Sequence, residues 1–163
     1  MGDFDISFSS IHIANKRLIV DSHYEDLVYC FGGATIIRYV VDEKGYRLND
    51  DPIKTDIAPL ISENRTYLSA RYVTEPLGGE VFWDAAERKV TCKQADKIIE
   101  LWIDNPVAKI DGKSIQIDKD NSKVTPIIVD DRTMVPMRFL AETFGCEVEW
   151  AAETREIILT YTP

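Results

Sequence analysis

The chain repeats its own sequence at an offset of 67 residues. Residues 59–92 and 126–159 are identical at 12 of 34 positions, where average residue usage would give about two. The same offset places Gly45 on Gly112, upstream of the strongest matches. A repeat of this length predicts one supersecondary unit that is used twice.

We expect three segments in the chain. They are an N-terminal segment, a first repeat and a second repeat, at residues 1–33, 34–96 and 97–163. The N-terminal segment is predicted to form a hairpin around Asn15, which tolerates the positive φ of a turn, and then a helix. This segment is either a degenerate third repeat or an unrelated hairpin and helix.

The second repeat predicts several strands and one helix. Alternating apolar side chains at residues 99–103 predict a strand, and Asp111-Gly112 predicts a tight hairpin turn. The helix is expected to end at Gly145. The predicted order is β-β-β-α-β-β, an α+β fold with antiparallel sheets and one short helix in each repeat. In the first repeat Pro76 predicts a shorter helix, capped by Ser69.

Composition excludes several classes of function. The 28 Asp and Glu residues outnumber the 19 Lys and Arg residues, which gives a formal net charge of -9 and disfavours nucleic acid as a partner. No apolar run is long enough to span a membrane, and the first residues do not have the pattern of a secretory signal. The three cysteines, Cys30, Cys92 and Cys146, do not have the spacing of a zinc ribbon, although two of them could pair. The two histidines, His12 and His23, are too few for a three-histidine metal site.

The second repeat resembles the copper amine oxidase N-terminal-like, or stalk, domain family of surface and secreted proteins of Gram-positive bacteria. The resemblance is carried by residues 131–142, with an Arg-Thr pair and a Val-Pro-Met-Arg-Phe segment, and then by Gly145 and Trp150. It extends over residues 34–163, with a looser match in the first repeat. The resemblance implies a non-catalytic module without a cofactor, located outside the cell or in the cell envelope. Consistent with this, the chain does not contain the Asn-Tyr-Asp or Asn-Tyr-Glu sequence that would supply a quinone cofactor.

Eight residues shared by both repeats are predicted to be structural. They are Arg65, Arg132, Arg71, Arg138, Gly78, Gly145, Trp83 and Trp150. The first two arginines would tie turns to carboxylates or backbone carbonyls, although a guanidinium in a turn could also bind a sugar or a carboxylate. The next two each precede a Glu by four residues, which predicts helical ion pairs. The glycines would end helices, and the tryptophans would be buried packing anchors.

A binding site is predicted at Trp102. Strand alternation places its side chain on the same face as Glu100 and Asp104, opposite the apolar residues of the strand. The offset of 67 residues places Thr35 at the equivalent position, so the repeat does not require an aromatic residue there. An exposed indole between carboxylates could stack on a sugar ring or anchor a protein partner. Packing within the module is the alternative for this tryptophan.

Two functions remain open from the sequence. The first is a non-catalytic cell-envelope module that spaces or presents a neighbouring domain and binds an envelope protein or polysaccharide weakly. The second is a carbohydrate-binding or hydrolytic unit with an acidic cleft between the repeats. Copper binding by Met134, Met137 and Cys146 is a weaker third option, because both methionines occupy apolar positions of the repeat.

Overall fold

The computed structural model describes the backbone of residues 10–14, 17–21 and 29–30, and residues 33–163 in full. The chain divides into two compact units, residues 1–34 with 162–163, and residues 35–161. In the first unit β1 (Ser10–Ala14) pairs antiparallel with β2 (Arg17–Asp21), and β2 pairs with β3 (Tyr29–Cys30). The first two strands form the predicted hairpin. The helix predicted to follow is wrong at Tyr29 and Cys30, which are paired as a strand with β2, and the rest of it lies outside the described residues.

The second unit is an α+β structure built mostly from antiparallel strands. Its strands are β4 (Thr35–Val40), β5 (Tyr46–Leu48), β6 (Asp51–Ile53), β7 (Leu60–Ser62), β8 (Arg65–Ser69), β9 (Glu80–Asp84), β10 (Lys89–Gln94), β11 (Lys97–Trp102), β12 (Val107–Ile110), β13 (Lys113–Gln116), β14 (Ile127–Val129), β15 (Arg132–Pro136), β16 (Cys146–Ala151) and β17 (Glu156–Tyr161). Its helices are α1 (Ala70–Thr74), which continues into a 3₁₀ turn (Glu75–Leu77), and α2 (Met137–Thr143). Each repeat has five strands before its helix, not the predicted three. None of the helices among the described residues is long and apolar enough to cross a membrane.

The two repeats are interlaced through three sheets. In one five-stranded sheet, ordered β13-β12-β11-β10-β9, the last two strands of the first repeat join the first three of the second. The other, ordered β16-β17-β4-β5-β6, joins the end of the second repeat to the beginning of the first. A four-stranded sheet, ordered β14-β15-β8-β7, takes two strands from each. The predicted division after residue 96 therefore falls in the turn between β10 and β11, inside one sheet.

The repeats are related by an approximate two-fold axis. In the four-stranded sheet Leu68 is the register partner of Val135, and these residues are repeat equivalents. At another point Gln94 Nε2 donates a hydrogen bond to Tyr161 Oη at 2.9 Å, and these two are also equivalents. Contacts between equivalent residues arise only on a two-fold axis, so the module has the internal symmetry of a fused dimer.

The first three strands of each repeat are related by an offset of 62 residues, not 67. Asn49 Oδ1 accepts a hydrogen bond from the Ile36 N–H at 2.8 Å, and Asp111 Oδ1 accepts one from the Ile98 N–H at 2.8 Å. The Asn49-Asp50 hairpin turn is therefore equivalent to the Asp111-Gly112 turn. The predicted equivalence of Gly45 with Gly112 is wrong.

An insertion explains the change of offset. Five more residues separate Ile115 of β13 from Pro126 than separate Ile53 of β6 from Pro59, because the loop between β13 and β14 is longer. As a result the repeat equivalent of Trp102 is Val40 and not Thr35. An apolar residue therefore occupies this position in both repeats.

The core is formed by both repeats. The largest fully buried side chains are Tyr39, Tyr67, Ile37, Leu68, Ile99, Leu101, Met134, Met137, Leu140, Leu159, Val73 and Val90. The buried tyrosine hydroxyls find acceptors: Tyr39 donates to the Tyr72 carbonyl at 2.6 Å and Tyr67 to the Thr125 carbonyl at 3.0 Å. Met134 and Met137 fill the core, as the apolar repeat positions predict.

The two helices differ where the sequences of the repeats differ. Ser69 precedes α1 as predicted, but its hydroxyl makes no capping hydrogen bond. Pro76 falls in the 3₁₀ turn, so the regular helix of the first repeat is shorter. Gly78 and Gly145 follow the helical segments with φ of 80° and 88°, a conformation that favours glycine.

Candidate functional site

Two lysine side chains of the same sheet lie against Trp102, the predicted binding residue. Trp102 and Glu100 share a face of β11, as strand alternation predicts. Lys89 Nζ and Lys109 Nζ lie 5.7 and 5.5 Å from the centroid of the indole ring, within cation–π distance. Lys89 Nζ also lies 3.2 Å from the Glu100 carboxylate. The partly buried indole is therefore packed among charged neighbours of its own sheet.

Asp104 is not part of this arrangement. The strand ends at Trp102, and Asp104 lies in the following turn with φ of 62°. Its carboxylate pairs with Arg88 NH2 at 3.2 Å. The structure thus brings Trp102 and Glu100 together and places Asp104 elsewhere.

The two repeated tryptophans are exposed, and the prediction that they are buried is wrong. The relative solvent-accessible surface area is 46% for Trp83 and 43% for Trp150. Their register partners, Val90 and Ile157, are buried, so both indoles do lie on the inner face of their sheets. They are exposed because β9 and β16 are edge strands, and no strand covers them on the outer side.

Each tryptophan lies in a groove between the edge strand, the helix of its own repeat and a turn of the other repeat. We define the Trp83 groove by its lining residues Ser69, Ala70, Arg71, Tyr72, Val81, Trp83, Val90, Ile128, Asp131, Arg132 and Thr133. The repeat equivalents of all these residues line the Trp150 groove: Pro136, Met137, Arg138, Phe139, Val148, Trp150, Ile157, Ile61, Asn64, Arg65 and Thr66. The inserted loop extends the Trp150 groove, so the volumes are about 470 and 970 Å³. Both volumes are in the range of ligand-binding clefts.

Arg132 joins the Trp83 groove to the loop between β6 and β7. Arg132 Nε donates a hydrogen bond to Asp56 Oδ2 at 2.7 Å, and Tyr72 Oη donates to Asp56 Oδ1. The hydrogen bond from Tyr72 and then those from Arg132 lower the pKa of Asp56 to about 2. These groups are almost half exposed, so solvent screens the ion pair and it adds little to stability.

Arg65 makes the equivalent connection in the Trp150 groove. Arg65 Nε donates to Asp118 Oδ2 at 2.6 Å. Asp118 Oδ1 accepts the backbone N–H groups of Asp120 and Asn121 at 2.9 and 3.1 Å. The Arg65 guanidinium and then the Asp120 N–H lower the pKa of the Asp118 carboxyl. Both turn arginines therefore reach a carboxylate in a loop of the other repeat.

The helix arginines form the ion pairs that their spacing predicts. Arg71 Nε lies 3.2 Å from Glu75 Oε1, and Arg138 NH1 lies 3.4 Å from Glu142 Oε1. The two arginine side chains are 62% and 58% exposed, so most of their N–H donors face solvent beside the grooves. Such exposed i, i+4 pairs contribute only about 0.3–0.5 kcal/mol each.

The described thiols have the character of core residues. Cys92 and Cys146 are both buried and free, and burial raises the pKa of each to about 11. Their unprotonated form, the reactive one, is therefore scarce near neutral pH. The side chain of Cys30 lies outside the described part of the chain, so its predicted options stay open.

The side chains of residues 33–163 do not form a copper site. Among the residues that the structure describes, no three His, Cys, Asp or Glu side chains are grouped so that they could hold a metal ion. Met134 and Met137, the soft ligands considered above, are enclosed in the core.

Comparison with protein families identifies the family of the chain. The family model described as copper amine oxidase N-terminal domain matches residues 47–159. The chain belongs to the copper amine oxidase N-terminal domain family. The match begins in β5 and ends in β17, so it includes strands from both interlaced repeats. This domain is the non-catalytic N-terminal part of copper amine oxidases. A search of curated proteins and a search of solved structures each found no match.

The sequence does not predict the tryptophan grooves, because an aromatic residue shared by two repeats is also what a buried packing position would show. Repetition identified Trp83, Trp150 and the arginines correctly as shared residues. It did not show that the strands carrying the tryptophans are at sheet edges. The shared arginines make the predicted ion pairs and the shared glycines follow the helical segments, so the structural prediction is wrong only for the burial of the two tryptophans.

Proposed function

We propose that this copper amine oxidase N-terminal-like domain is an interaction module of the cell envelope that binds its partner through the two tryptophan grooves. The observation that carries the proposal is the half-exposed indole at equivalent positions of both repeats. Each indole has the same neighbours, a helix arginine, a turn arginine and an isoleucine. Membership of a non-catalytic domain family supports binding as the role of these residues.

The exposed apolar side chains support a binding role. Within residues 33–163, six of the eight large exposed apolar residues form three equivalent pairs: Ile53 with Ile115, Ile61 with Ile128, and Trp83 with Trp150. Single exposed apolar side chains are ordinary, but apolar side chains grouped in a concave surface are typical of interaction sites. Here the isoleucines at 61 and 128, which are 50% and 45% exposed, line the same grooves as the tryptophans.

The strand order supports a role in presenting a neighbouring domain and not a role as a spacer that holds two flanking segments apart. Thr35 and Tyr161, the first and last residues of the second unit, are register partners on neighbouring antiparallel strands. Such partners lie about 5 Å apart. The polypeptide therefore enters and leaves this unit at the same place, so flanking segments would not be separated by its length.

The charged groups of the grooves favour binding over hydrolysis. A glycosidase needs one carboxylic acid with a raised pKa to protonate the leaving group. Asp56 and Asp118, which pair with the turn arginines beside the grooves, both have a lowered pKa. Their ion pairs keep them charged, which suits a fixed structural or hydrogen-bonding role.

The proposal is tested by sedimentation of the full chain with insoluble cell-wall fragments from a Gram-positive bacterium. The Trp83→Ala/Trp150→Ala double variant is expected to stay in the supernatant, because both indoles contact the partner. Trp102→Ala, the matched control, is expected to sediment as the unmodified chain does. Circular dichroism verifies that each variant is folded. Loss of binding in Trp102→Ala alone, or unimpaired binding of the double variant, would overturn the proposal.

A further inference from the structure

We infer that the two grooves bind a neutral polysaccharide, with a sugar ring stacked on each indole and hydroxyl groups bound by the neighbouring helix arginine. This inference rests on the proposed function and names the chemical class of its ligand. It is argued from three observations: the side chains that meet in each groove, their charge, and the placement of two equivalent grooves on one compact unit.

The side chains of the Trp83 groove are those that bind a sugar. Trp83 offers an apolar, partly exposed ring for the C–H face of a pyranose. Arg71, the second residue of α1, has guanidinium N–H donors that its single contact with Glu75 leaves largely exposed. Asp131 and Thr133 add a carboxylate and a hydroxyl as acceptors. The Trp150 groove repeats the arrangement with Trp150, Arg138, Asn64 and Thr66.

The charges of the grooves disfavour an anionic ligand. In the Trp83 groove Arg71 pairs with Glu75 and Arg132 pairs with Asp56, which leaves the carboxylate of Asp131 in excess. An anion would have to compete with existing carboxylate partners for each guanidinium. It would also approach a chain whose formal net charge is -9.

The Trp150 groove has the same balance. Arg65 pairs with Asp118 and Arg138 pairs with Glu142. The remaining lining charges are those of Lys119, Asp120 and Glu149, again one carboxylate in excess. Sugar hydroxyls need no counter-ion and use both the exposed donors and the acceptors, so a neutral glycan fits both grooves better than an acidic polymer does.

A protein segment fits the grooves less well. A peptide added as a β-strand would pair with the open backbone edges of β9 and β16, which have five and six residues, because β7 and β14 are shorter templates of three residues each. The groups shared by the two grooves are side chains, namely the indole, guanidinium and hydroxyl or amide groups. A peptide ligand is therefore the competing outcome of the test.

Two equivalent grooves on one unit suit a repeating polymer. A glycan that reaches both grooves would make its second contact within the complex, which raises avidity roughly 10²–10⁴-fold over a single contact. A single sugar ring stacked on one indole is expected to bind weakly. The module would thus hold long glycan chains and release short fragments.

The test is a titration of the full chain with defined oligosaccharides, followed by calorimetry and tryptophan fluorescence. The neutral probes are hexamers of N-acetylglucosamine, glucose and mannose, the anionic probe is a galacturonic acid hexamer, and the protein probe is a library of soluble peptides. At least one neutral hexamer is expected to bind at two sites per chain, with little dependence on salt. Trp83→Leu, which retains apolar bulk without the aromatic face, is expected to leave one site.

A separate substitution tests the role of the helix arginine in binding. Arg71→Lys keeps the charge but removes the fork of donors, and it is expected to weaken binding at the Trp83 groove about 3–10-fold. Trp102→Ala is the matched control and is expected to bind the hexamer as the unmodified chain does. Thermal denaturation of each variant separates a loss of ligand contacts from a loss of fold.

The outcomes separate this inference from the proposed function. Tighter binding of the galacturonic acid hexamer, or binding of peptides alone, would overturn the neutral-glycan inference while the interaction module remains. Binding of neutral hexamers that Trp83→Leu and Trp150→Leu leave unchanged would overturn both, because the ligand would then lie outside the grooves. Failure of the unmodified chain to bind any glycan, together with retained sedimentation on wall fragments, would overturn the inference alone.

Discussion

Substitution of Gly79 by alanine tests the packing of α1 against its sheet. A Cβ atom at this position would lie 2.4 Å from the Lys93 carbonyl oxygen, 2.6 Å from Thr74 Cγ2 and 3.1 Å from Gln94 Cβ. The φ of Gly79 is outside the left-handed region, so the cost of the substitution is steric. Lys93 is held in β10 between β9 and β11, and its carbonyl cannot withdraw without disturbing both ladders.

We expect Gly79→Ala to lower the free energy of unfolding by about 3 kcal/mol, the upper end of the usual cost of overpacking. Gly78→Ala is the matched control, because no atom lies within 4 Å of its added Cβ and only its φ of 80° is unfavourable. That control is expected to cost about 1 kcal/mol. The second repeat suggests a rescue, because it has Ala141 and Cys146 where the first has Thr74 and Gly79. Thr74→Ala should therefore recover about 1 kcal/mol in the Gly79→Ala background.

The assay is equilibrium unfolding in urea, followed by tryptophan fluorescence, since all three tryptophans lie in the second unit. Comparable m-values would show that the variants unfold between the same states. If Gly79→Ala destabilises the chain no more than Gly78→Ala does, the close approach of the helix end to β10 is refuted. If Thr74→Ala brings no recovery, the contact with its methyl group is refuted.

Three further predictions follow from the contacts described above. The folded pKa of Asp56, about 2, is below its ordinary value of 3.8, so its ionised form adds stability that is complete above about pH 4 and is lost as the pH falls towards 2. Asp56→Asn should flatten the acid limb of the melting temperature against pH, and an unchanged limb would contradict the assignment. In a Cys30→Ser variant, Cys92 and Cys146 should resist a thiol reagent near pH 8 until the chain unfolds, because burial raises the pKa of both to about 11; rapid labelling of the native chain would count against it. Residues 97–163 expressed alone should form a dimer in sedimentation equilibrium, because β11 and β17 lack their cross-repeat partners; a stable folded monomer would be incompatible with interlacing.

Local features of the fold could be predicted because their causes are local. The Asp111-Gly112 turn, the helix ends at Gly78 and Gly145, and the shortening caused by Pro76 all depend on the backbone preferences of a few residues. The i, i+4 ion pairs follow from helix geometry alone. Family membership was also accessible, since the motif residues are contiguous in sequence.

The incorrect prediction that Gly45 is equivalent to Gly112 has a different cause. A single offset without gaps does not allow for an insertion in a loop. The first three strands of the two repeats share few identical residues, so identity alone does not reveal their true offset. The hydrogen bonds of Asn49 and Asp111 locate the true equivalence, because a side chain that accepts a neighbouring-strand N–H fixes the register.

The sequence by itself determined the existence of two copies, their short helices, the Asp111-Gly112 turn and the inward face of β11, but not the number of strands before each helix. The tertiary structure alone decided which strands are neighbours and which are left at an edge. Strand pairing joins residues far apart in the chain, and alternation of apolar residues is the same in a central strand and an edge strand. For that reason the pattern could place Trp83 and Trp150 on the inner faces, while only the sheet order left their rings open to solvent.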